Sequence, residues 1–230
     1  MESNHKRIMQ RAMLFHDICS DDYSTLINCL SPKIKSFSKN EIVLLTGDSV
    51  NHVGIILEGS ACAYLGHVSG SQTLISNLSA LQMFGEILVS TRTHKSPVTI
   101  YSTSNMTTAF IEYKRIYSMC EKACAGHRIF IQNMLKTTGD KYFYLFDRIA
   151  VLRERTLRSK IMAYLFTLNG NGDADTVRIP FSKTMFADYL LANRSALSKE
   201  LRKMESDGLI IVNGRDITLV QNKVVPHIDA

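Results

Sequence analysis

Five residues between positions 194 and 202 carry side chains that are suited to contact nucleic acid. Their hydroxyl, ammonium and guanidinium groups can donate hydrogen bonds to phosphates and base edges, and an arginine can form a bidentate pair with guanine. Positive charge is clustered here, which is the electrostatic pattern of phosphate binding. We therefore predict that this segment recognises DNA. The five residues are Arg194, Ser195, Ser198, Lys199 and Arg202.

Two short helices joined by a tight turn are predicted to present these side chains. Apolar residues recur at helical spacing in two runs, Phe186, Ala187 and Leu190 followed by Leu197, Leu201 and Met204. Asn193 lies in the connection, where its side-chain oxygen is predicted to cap the second helix. The pattern is typical of a helix-turn-helix whose second helix, the recognition helix, enters the major groove of DNA.

A β-hairpin is predicted directly after the recognition helix. Two runs of mainly apolar and β-branched residues, Leu209–Val212 and Arg215–Val220, flank the dipeptide Asn213-Gly214. Asn-Gly favours a type I′ turn, because both central residues of that turn need a positive φ. A helix-turn-helix followed by such a hairpin indicates a winged helix.

The N-terminal half of the chain has a different pattern. Helical segments within residues 8–31 are followed, from Pro32 to about Tyr113, by short β-branched runs that are separated by turn residues. Strands at this spacing predict an antiparallel sandwich or barrel. The predicted strands are Ile42–Leu45, Val53–Leu57, Ala61–Leu65, Gln72–Leu78, Val98–Thr103 and Thr107–Ile111.

A long helix is predicted from about residue 125 to residue 152. A series of mainly apolar residues with a period near 3.5 favours pairing of this helix with a second copy of itself. The alternative is a helix packed on its own β domain, and both can hold for different faces. Arg153–Thr156 is the predicted hinge, where Thr156 caps the next helix. The series is Ile131, Thr138, Tyr142, Leu145, Ile149 and Leu152.

Composition narrows the class of protein. The 230-residue chain has a net charge of +6, and its hydrophobic content of 45% is that of a globular protein. No apolar run is long enough for a transmembrane helix or a signal peptide, so we expect a cytoplasmic location without membrane association. No sequence motif of a hydrolase, metalloprotease or phosphate-binding loop occurs, so we expect neither enzymatic activity nor a cofactor.

The five cysteines do not have the spacing of a zinc site or of a disulfide framework. Cys120 and Cys124 could share one face of a helix. We interpret them as structural thiols, and the alternative is a redox-sensing pair. An iron–sulfur cluster would need four closely spaced thiolates, which Cys19 and Cys29 alone do not supply.

The order of these elements resembles the Crp/Fnr family of bacterial transcription regulators. The resemblance covers nearly the whole chain and is most specific at Phe84–Ile87, which is similar to the family's FGE element, and at Ser182–Ile210. It implies an α+β fold with a cyclic-nucleotide-binding-type β-roll (a jelly roll), a long dimerisation helix and a C-terminal winged helix-turn-helix. The implied domains are an effector-sensing domain at 1–152, which includes the helix at about 125–152, and a DNA-binding domain at 153–230.

The family's DNA contacts carry over to matching positions of this chain. The base-reading arginine falls on Arg194, and Lys199 matches a basic position that reaches a base or a phosphate. Ser195 stands where the family often has a glutamate that reads cytosine, so the resemblance does not imply the usual operator sequence. Ser182 and Lys183, at the start of the first helix, match positions that contact phosphate.

The resemblance also implies an effector site around Gly85 and Glu86. In cyclic-AMP binders this glutamate holds the ribose and an Arg-Ser pair holds the phosphate, whereas Lys95 and Ser96 occupy the matching positions here. Lysine lacks the planar, two-pronged donor of arginine, so cyclic AMP is not the expected effector. An apolar closing face on the long helix favours a small aromatic or apolar acid whose carboxylate meets Lys95. This face comprises Tyr142, Leu145 and Phe146.

Two alternatives at this site stay open. The apolar face can instead fill the dimer core, and Glu86 can be only a structural cap in a loop of the family's shape. The resulting hypothesis is an effector-controlled homodimer that reads a palindromic operator, with double-stranded DNA, a second copy, a small-molecule effector and RNA polymerase as partners. The alternative is a cyclic-nucleotide-type sensor module that acts mainly through protein–protein contacts and binds DNA only in a salt-sensitive, sequence-blind way.

Overall fold

The computed structural model describes residues 3–68, 70–118, 125–170 and 176–220. Contacts divide the chain into two units, Met1–Tyr142 and Phe143–Ala230. Helices and antiparallel sheets occur together, so the predicted α+β class is confirmed. The long helix continues across the contact division, and the domain boundary expected between residues 152 and 153 stays a prediction.

The first unit combines short helices with eight strands within the described residues. Its helices are α1 (Ser3–Gln10), α2 (Ser20–Leu30), α3 (Glu86–Val89) and α4 (Tyr113–Tyr117), with a 3₁₀ turn at Met13–Phe15. Its strands are β1 (Lys33–Phe37), β2 (Ile42–Leu44), β3 (His52–Glu58), β4 (Ser60–Gly66), β5 (Gln72–Ser79), β6 (Met83–Phe84), β7 (Thr99–Ser102) and β8 (Met106–Glu112).

These strands form two four-stranded antiparallel sheets, in the orders β1-β8-β3-β6 and β2-β7-β4-β5. The arrangement is the predicted β-roll. Each of the six predicted strands corresponds to an observed strand, but β1 and β6 were not predicted. Strand β1 is mostly exposed and buries only Phe37 fully, so it lacks an apolar run, and β6 has only two residues.

A glycine in β3 fixes the position of β6. Gly54 pairs with Phe84 across the sheet. A Cβ atom on Gly54 would lie only 2.3 Å from the Phe84 ring, so any larger residue would displace the ring. Phe84 is 6% exposed and packs edge-on against Phe110 with ring centroids 5.9 Å apart. The residues that follow Phe84 are thereby held at the edge of the roll.

The long helix α5 spans Ala125–Arg153. Its N-terminal half packs on the first unit through Phe130 and Met134, which are buried in the core of that unit. Asn133 donates hydrogen bonds to the carbonyl oxygens of Leu14 and His16, at 3.3 and 2.8 Å. The N-terminal half therefore packs on its own β domain, which was the alternative to self-pairing for this helix.

The second unit contains the predicted helix-turn-helix and a three-stranded sheet. Its helices are α6 (Leu157–Asn169), α7 (Lys183–Tyr189) and α8 (Arg194–Ser206), and its strands are β9 (Thr176–Arg178), β10 (Ile210–Asn213) and β11 (Asp216–Leu219) in the order β10-β11-β9. Strand β9 was not predicted, because three residues are too few to establish a period of two. The chain leaves α5 after Arg153, where the hinge was expected, and Thr156 caps α6 in a capping box with Ser159, as predicted.

The turn of the hairpin differs from the prediction by one residue. Asn213 pairs with Asp216, so Gly214 and Arg215 are the two loop residues. Gly214 has a φ of +63°, whereas neither Asn213 nor Arg215 is among the described residues with a positive φ. A positive φ at the first central position alone is the pattern of a type II′ turn, so the predicted type I′ turn on Asn213-Gly214 is wrong.

The connection between α7 and α8 also departs from the prediction. Asn193 occupies the N-cap position of α8, but its side chain makes no capping hydrogen bond within the described part of the chain. The turn is held instead by backbone bonds from Ala192 N–H to Ala187 C=O and from Leu191 N–H to Asp188 C=O, at 2.9 and 3.2 Å. This is a Schellman motif, and Leu191 occupies its left-handed position with a φ of +54°.

Two other features complete the fold. Among the described residues, no helix is both long and apolar enough to cross a membrane. Cys62 is buried and its thiol faces Asn77 Oδ1 at 3.4 Å, while Cys19 is exposed. The alternative of a redox-sensing pair concerns Cys120 and Cys124, which lie outside the described residues.

Candidate DNA-binding surface and effector site

Helix α8 separates an apolar face from a polar face. Leu197, Leu201 and Met204 are buried in the core of the second unit. The other face exposes Arg194, Ser195, Lys199 and Arg202, and Ser198 is half-buried beside them. The apolar face of α8 packs against the core. The five side chains predicted to contact DNA therefore lie together on the opposite, outer face of the helix. Their contact with DNA stays a prediction.

An ion cluster that was not predicted compensates Glu200 of α8 and Asp207, the residue that follows the helix. Arg158, near the start of α6, lies between Glu200 and Asp207, with its Nε 2.6 Å from Glu200 Oε1 and its Nη1 2.7 Å from Asp207 Oδ2. The hydrogen bonds to Glu200 and then to Asp207 raise the pKa of Arg158. The charge of Glu200 is thereby balanced by Arg158. Glu200 therefore does not offset the positive charge on the outer face of α8. Arg158 and Glu200 are 42 positions apart, so no local spacing could have indicated the pair.

A shallow groove runs beside α8 and gathers several of the predicted residues. It is lined by the start of α7, by α8 and by the hairpin: Lys183, Ser198, Leu201, Arg202, Glu205, Val212 and Gly214. Glu205 Oε1 accepts a hydrogen bond of 3.0 Å from the backbone N–H of Val212. This bond ties the hairpin to the recognition helix, so the wing and α8 present one surface.

Ser182 has a defined local role at the start of α7. It is the N-cap residue, and its hydroxyl accepts a hydrogen bond of 3.3 Å from Met185 N–H. A serine that caps in this way keeps its own O–H free to donate outwards. Ser182 and the adjacent, exposed Lys183 therefore remain compatible with the predicted phosphate contact.

The structure adds one residue to the candidate DNA-binding surface. Arg215 is exposed at the tip of the hairpin, next to Gly214 in the groove. The arginine beside the Asn-Gly dipeptide was a usable signal, because a basic residue at the tip of a wing is well placed to meet a phosphate. It was missed because the turn was predicted one residue too early.

In the first unit, Glu86 is paired within the chain. Its carboxylate is 4% exposed, and Oε1 lies 2.7 Å from the ammonium nitrogen of Lys141 on α5. The same ammonium group donates to the carbonyl oxygen of Met83 at 2.5 Å. Oε2 is buried and has no hydrogen-bond partner among the described residues. Lys141 was not predicted as a site residue, although a lysine directly before the apolar face at 142–146 could have indicated it.

Gly85 and the segment at Lys95 both lie next to the segment Val50–His52. Gly85 has a φ of +85°, and a Cβ atom there would lie 2.9 Å from His52 C=O and 3.6 Å from Val50 Cγ1, so the position needs glycine. Val50 N–H donates a hydrogen bond of 2.7 Å to His94 C=O. The two predicted parts of the effector site are thus neighbours on either side of Val50.

Lys95 and Ser96 differ in what they offer a ligand. Ser96 is 2% exposed, and its hydroxyl donates to Val98 C=O at 2.7 Å and accepts from Val98 N–H at 3.3 Å. The hydroxyl is therefore committed to its own loop. Lys95 is exposed and forms an isolated bridge with Ser49. Only Lys95 of this pair presents its polar group to solvent.

The predicted closing face on α5 is exposed in the single chain. Tyr142 and Phe146 are 63% and 61% exposed, and Leu145 is 38% exposed. Ile149, in the same series, is 59% exposed. Single exposed apolar residues are ordinary, but a run of them on one helix marks an interaction surface.

A metal centre finds no support in the part of the chain that the structure describes. No group of three or more His, Cys, Asp or Glu side chains in that part could hold a metal ion.

Comparison with known domains matches both units. A cyclic nucleotide-binding domain matches residues 34–123, and a Crp-like helix-turn-helix domain matches residues 159–223. A sensor of this kind followed by such a helix-turn-helix defines a DNA-binding transcription regulator. The chain belongs to the Crp/Fnr family of bacterial transcription regulators.

Solved structures share this fold at low sequence identity. FixK2 from Bradyrhizobium japonicum is 15% identical with a TM-score of 0.59, over 82% of this chain and 92% of that chain. The c-di-GMP responsive regulator CLP from Xanthomonas campestris is 14% identical with a TM-score of 0.65, over 85% and 98%. A CooA mutant from Carboxydothermus hydrogenoformans is 19% identical with a TM-score of 0.66, over 84% and 85%. No curated protein matches the chain in sequence.

Proposed function

We propose that this regulator is a homodimer that reads a palindromic operator under the control of a small-molecule effector. One observation carries the proposal: α8 exposes Arg194, Lys199 and Arg202 on one face, while Arg158 neutralises Glu200. Arg194 is the first residue of α8, and our proposal is that it reads a guanine from this end of the helix. Ser195 stands in place of a glutamate, so we propose that this protein does not make the contact to cytosine that is usual in the family.

A second group of proposed DNA contacts is to phosphate, while Lys199 can reach either a base or a phosphate. Ser182, Lys183, Ser198 and Arg202 lie at the start of α7 and along the groove, and such contacts fix the orientation of a protein on the duplex without reading its sequence. Arg215 adds a contact from the wing. In this proposal Arg194 reads a base, and the residues at the start of α7, along the groove and at the wing contact phosphates.

Dimerisation through α5 is supported by its apolar face. Tyr142, Leu145, Phe146 and Ile149 are exposed in the single chain, and a second copy of α5 would cover them. Two copies bring two recognition helices to half-sites about one helical turn of DNA apart. A regulator of this kind acts in the cytoplasm, where it meets DNA and RNA polymerase, and needs no catalytic activity of its own.

The effector is not cyclic AMP in this proposal. Glu86, which would hold the ribose, is paired with Lys141, and the Ser96 hydroxyl, which would hold the phosphate, is bonded to Val98. The proposed effector is instead a small aromatic or apolar acid whose carboxylate meets Lys95. CLP, which shares the fold, is described as c-di-GMP responsive, so cyclic dinucleotides belong in the same ligand screen.

Selection of binding sites from a pool of random double-stranded DNA by the full chain tests this function. The expected result is enrichment of an inverted repeat, with guanine at one symmetric position of each half-site. If the bound DNA shows no common motif and binding is lost uniformly as salt rises, the protein is a sensor module and not an operator-specific regulator. A thermal-shift screen of nucleotides and aromatic acids identifies the effector, since any ligand of the native state raises the melting temperature.

A further inference from the structure

The C-terminal end of α7 is contacted by two cationic side chains, one from α5 and one from α6. Arg148 on α5 places its Nη2 atom 3.5 Å from the carbonyl oxygen of Tyr189, the last residue of α7. Lys160 on α6 places its Nζ atom 3.4 Å from the carbonyl oxygen of Leu190, the C-cap residue. Carbonyl groups at the end of a helix lack partners within the helix and carry a partial negative charge, so both contacts are favourable.

Arg148 contacts the C-terminal end of α7 through an aromatic ring as well as through a carbonyl group. Its side chain is 4% exposed, and its Cζ atom lies 4.7 Å from the centroid of the Tyr189 ring. Tyr189 is in turn packed among Tyr164, Phe181 and Tyr144, with ring centroids 4.8, 5.2 and 6.3 Å away. The guanidinium group therefore lies over a ring whose own position is fixed by the aromatic residues around it.

The next residues along the chain lead directly to the recognition helix. Leu191 takes the left-handed conformation, and only Ala192 and Asn193 separate it from Arg194. Among the described residues Asn193 makes no capping hydrogen bond with its side chain, so the start of α8 depends on how α7 ends. Whatever fixes the last carbonyl groups of α7 also fixes the direction in which α8 begins.

We infer that Arg148, assisted by Lys160, is a positioning residue for DNA recognition, because it fixes the end of α7 and with it the place of Arg194. The inference rests on the proposed function, in which Arg194 reads the operator. Arg148 touches no DNA in this scheme and acts through Tyr189. Because α5 carries Arg148, a change in this part of α5 can reach the recognition helix through this buried side chain.

The test compares Arg148→Met with Arg153→Met in the full chain. Both variants remove one arginine from α5, but Arg153 is exposed at the end of the helix. Methionine retains most of the packing but loses the hydrogen bond to Tyr189 C=O and the contact with the Tyr189 ring. The free energy of unfolding, measured for both variants, separates a change in positioning from a loss of global stability. Hydrogen–deuterium exchange reports the amides of residues 189–197 directly and needs no DNA.

In Arg148→Met we expect exchange in residues 189–197 to rise about three- to tenfold over Arg153→Met, with no rise in the first unit. Operator affinity is expected to fall by a similar factor, while binding to random DNA falls equally in both variants. Equal exchange in residues 189–197 and equal operator affinity in the two variants would overturn the inference.

A second variant keeps the test decisive if Arg148→Met does not fold. Lys160 is only half-buried. Lys160→Met must raise hydrogen–deuterium exchange in residues 189–197. If both variants fold, the rise must be smaller than in Arg148→Met. Suppose that Arg148→Met does not fold and that Lys160→Met exchanges at the wild-type rate throughout this segment. These two results together would overturn the inference and show that Arg148 is a core residue only. If the wild type selects no operator, the proposed function fails, but the exchange result still decides the role of Arg148.

Discussion

Lys141 Nζ lies 2.7 Å from Glu86 Oε1, which joins the long helix α5 to the element that corresponds to the ribose-binding glutamate of the family. The carboxylate is buried and the lysine side chain is 29% exposed. A ligand that binds Glu86 must therefore compete with a charged partner inside the protein. The pair gives a physical reason, beyond the replacement of arginine by Lys95, for expecting an effector other than cyclic AMP.

The first prediction concerns cyclic AMP itself. Addition of the nucleotide at about millimolar concentration is expected to leave the melting temperature unchanged, because a ligand that does not bind the native state cannot stabilise it. Differential scanning fluorimetry checks this, with Glu86→Gln as the matched control. An upward shift in the wild type that disappears in Glu86→Gln would show that the ribose site is functional despite Lys141.

Arg194→Ala should weaken operator binding by about 1–3 kcal/mol and relax specificity at one base position. The reason is that an arginine paired with guanine O6 and N7 supplies both affinity and discrimination. Titration of fluorescent operator variants, each changed at one base pair, measures both effects. Arg128→Ala, which removes an exposed arginine from α5 in the first unit, is the control. Equal affinity of Arg194→Ala and the wild type for the operator contradicts the role.

Replacement of Leu145 and Ile149 by glutamate should convert dimers into monomers. Both residues lie on the exposed apolar face of α5, and a dimer would have to bury four unpaired carboxylates, two from each copy. Sedimentation velocity measures the oligomeric state. Leu168→Glu on α6, a 37% exposed leucine outside the proposed interface, serves as the control. A double variant that still sediments as a dimer excludes this face as the interface.

Leu191→Gly should stabilise the protein by up to about 1 kcal/mol. Leu191 has a φ of +54°, at the position of the Schellman motif where glycine is usual, and its side chain is 56% exposed. Loss of the side chain therefore costs little, while the strain caused by its Cβ atom is removed. Chemical denaturation measures the free energy of unfolding. Leu191→Ala retains the Cβ atom, so the hypothesis requires the glycine variant to be more stable than the alanine variant.

Stability should fall as the pH rises above about 10, because Tyr164 and Tyr189 of the second unit are buried. Burial raises the pKa of Tyr164 and Tyr189 above their ordinary value of 10.0, and it also raises the pKa of Tyr144. In the unfolded chain these groups lose their protons near pH 10, whereas the folded protein keeps them neutral. The stabilisation is therefore complete below this pH and is lost as the pH increases further.

Melting temperatures at about pH 8 and about pH 11 check this dependence. Tyr164→Phe removes one of the buried phenols, so its melting temperature should fall less between the two values than that of the wild type. An equal fall in both proteins would mean that Tyr164 ionises normally in the folded state.

Local pattern was sufficient to predict much of this protein. The apolar spacing around Phe186 and Leu201 defines two short helices, because burying one face of each is their main source of stability. The same spacing leaves Arg194 and Lys199 outside, so the basic face follows from the sequence. Short strands such as β1, β6 and β9 escaped prediction, because their pairing partners rather than their own residues hold them in place.

What only the tertiary structure decided is the set of contacts between distant positions. Lys141 and Glu86 are 55 residues apart, Arg158 and Glu200 are 42 apart, and Arg148 and Tyr189 are 41 apart. A charged side chain looks the same in the sequence whether it faces solvent or a buried partner, since its environment is set by elements folded elsewhere in the chain. The sequence by itself therefore determined the class of regulator and the basic face that we propose to contact DNA, while the fold decided which charged side chains are paired within the chain and which are exposed.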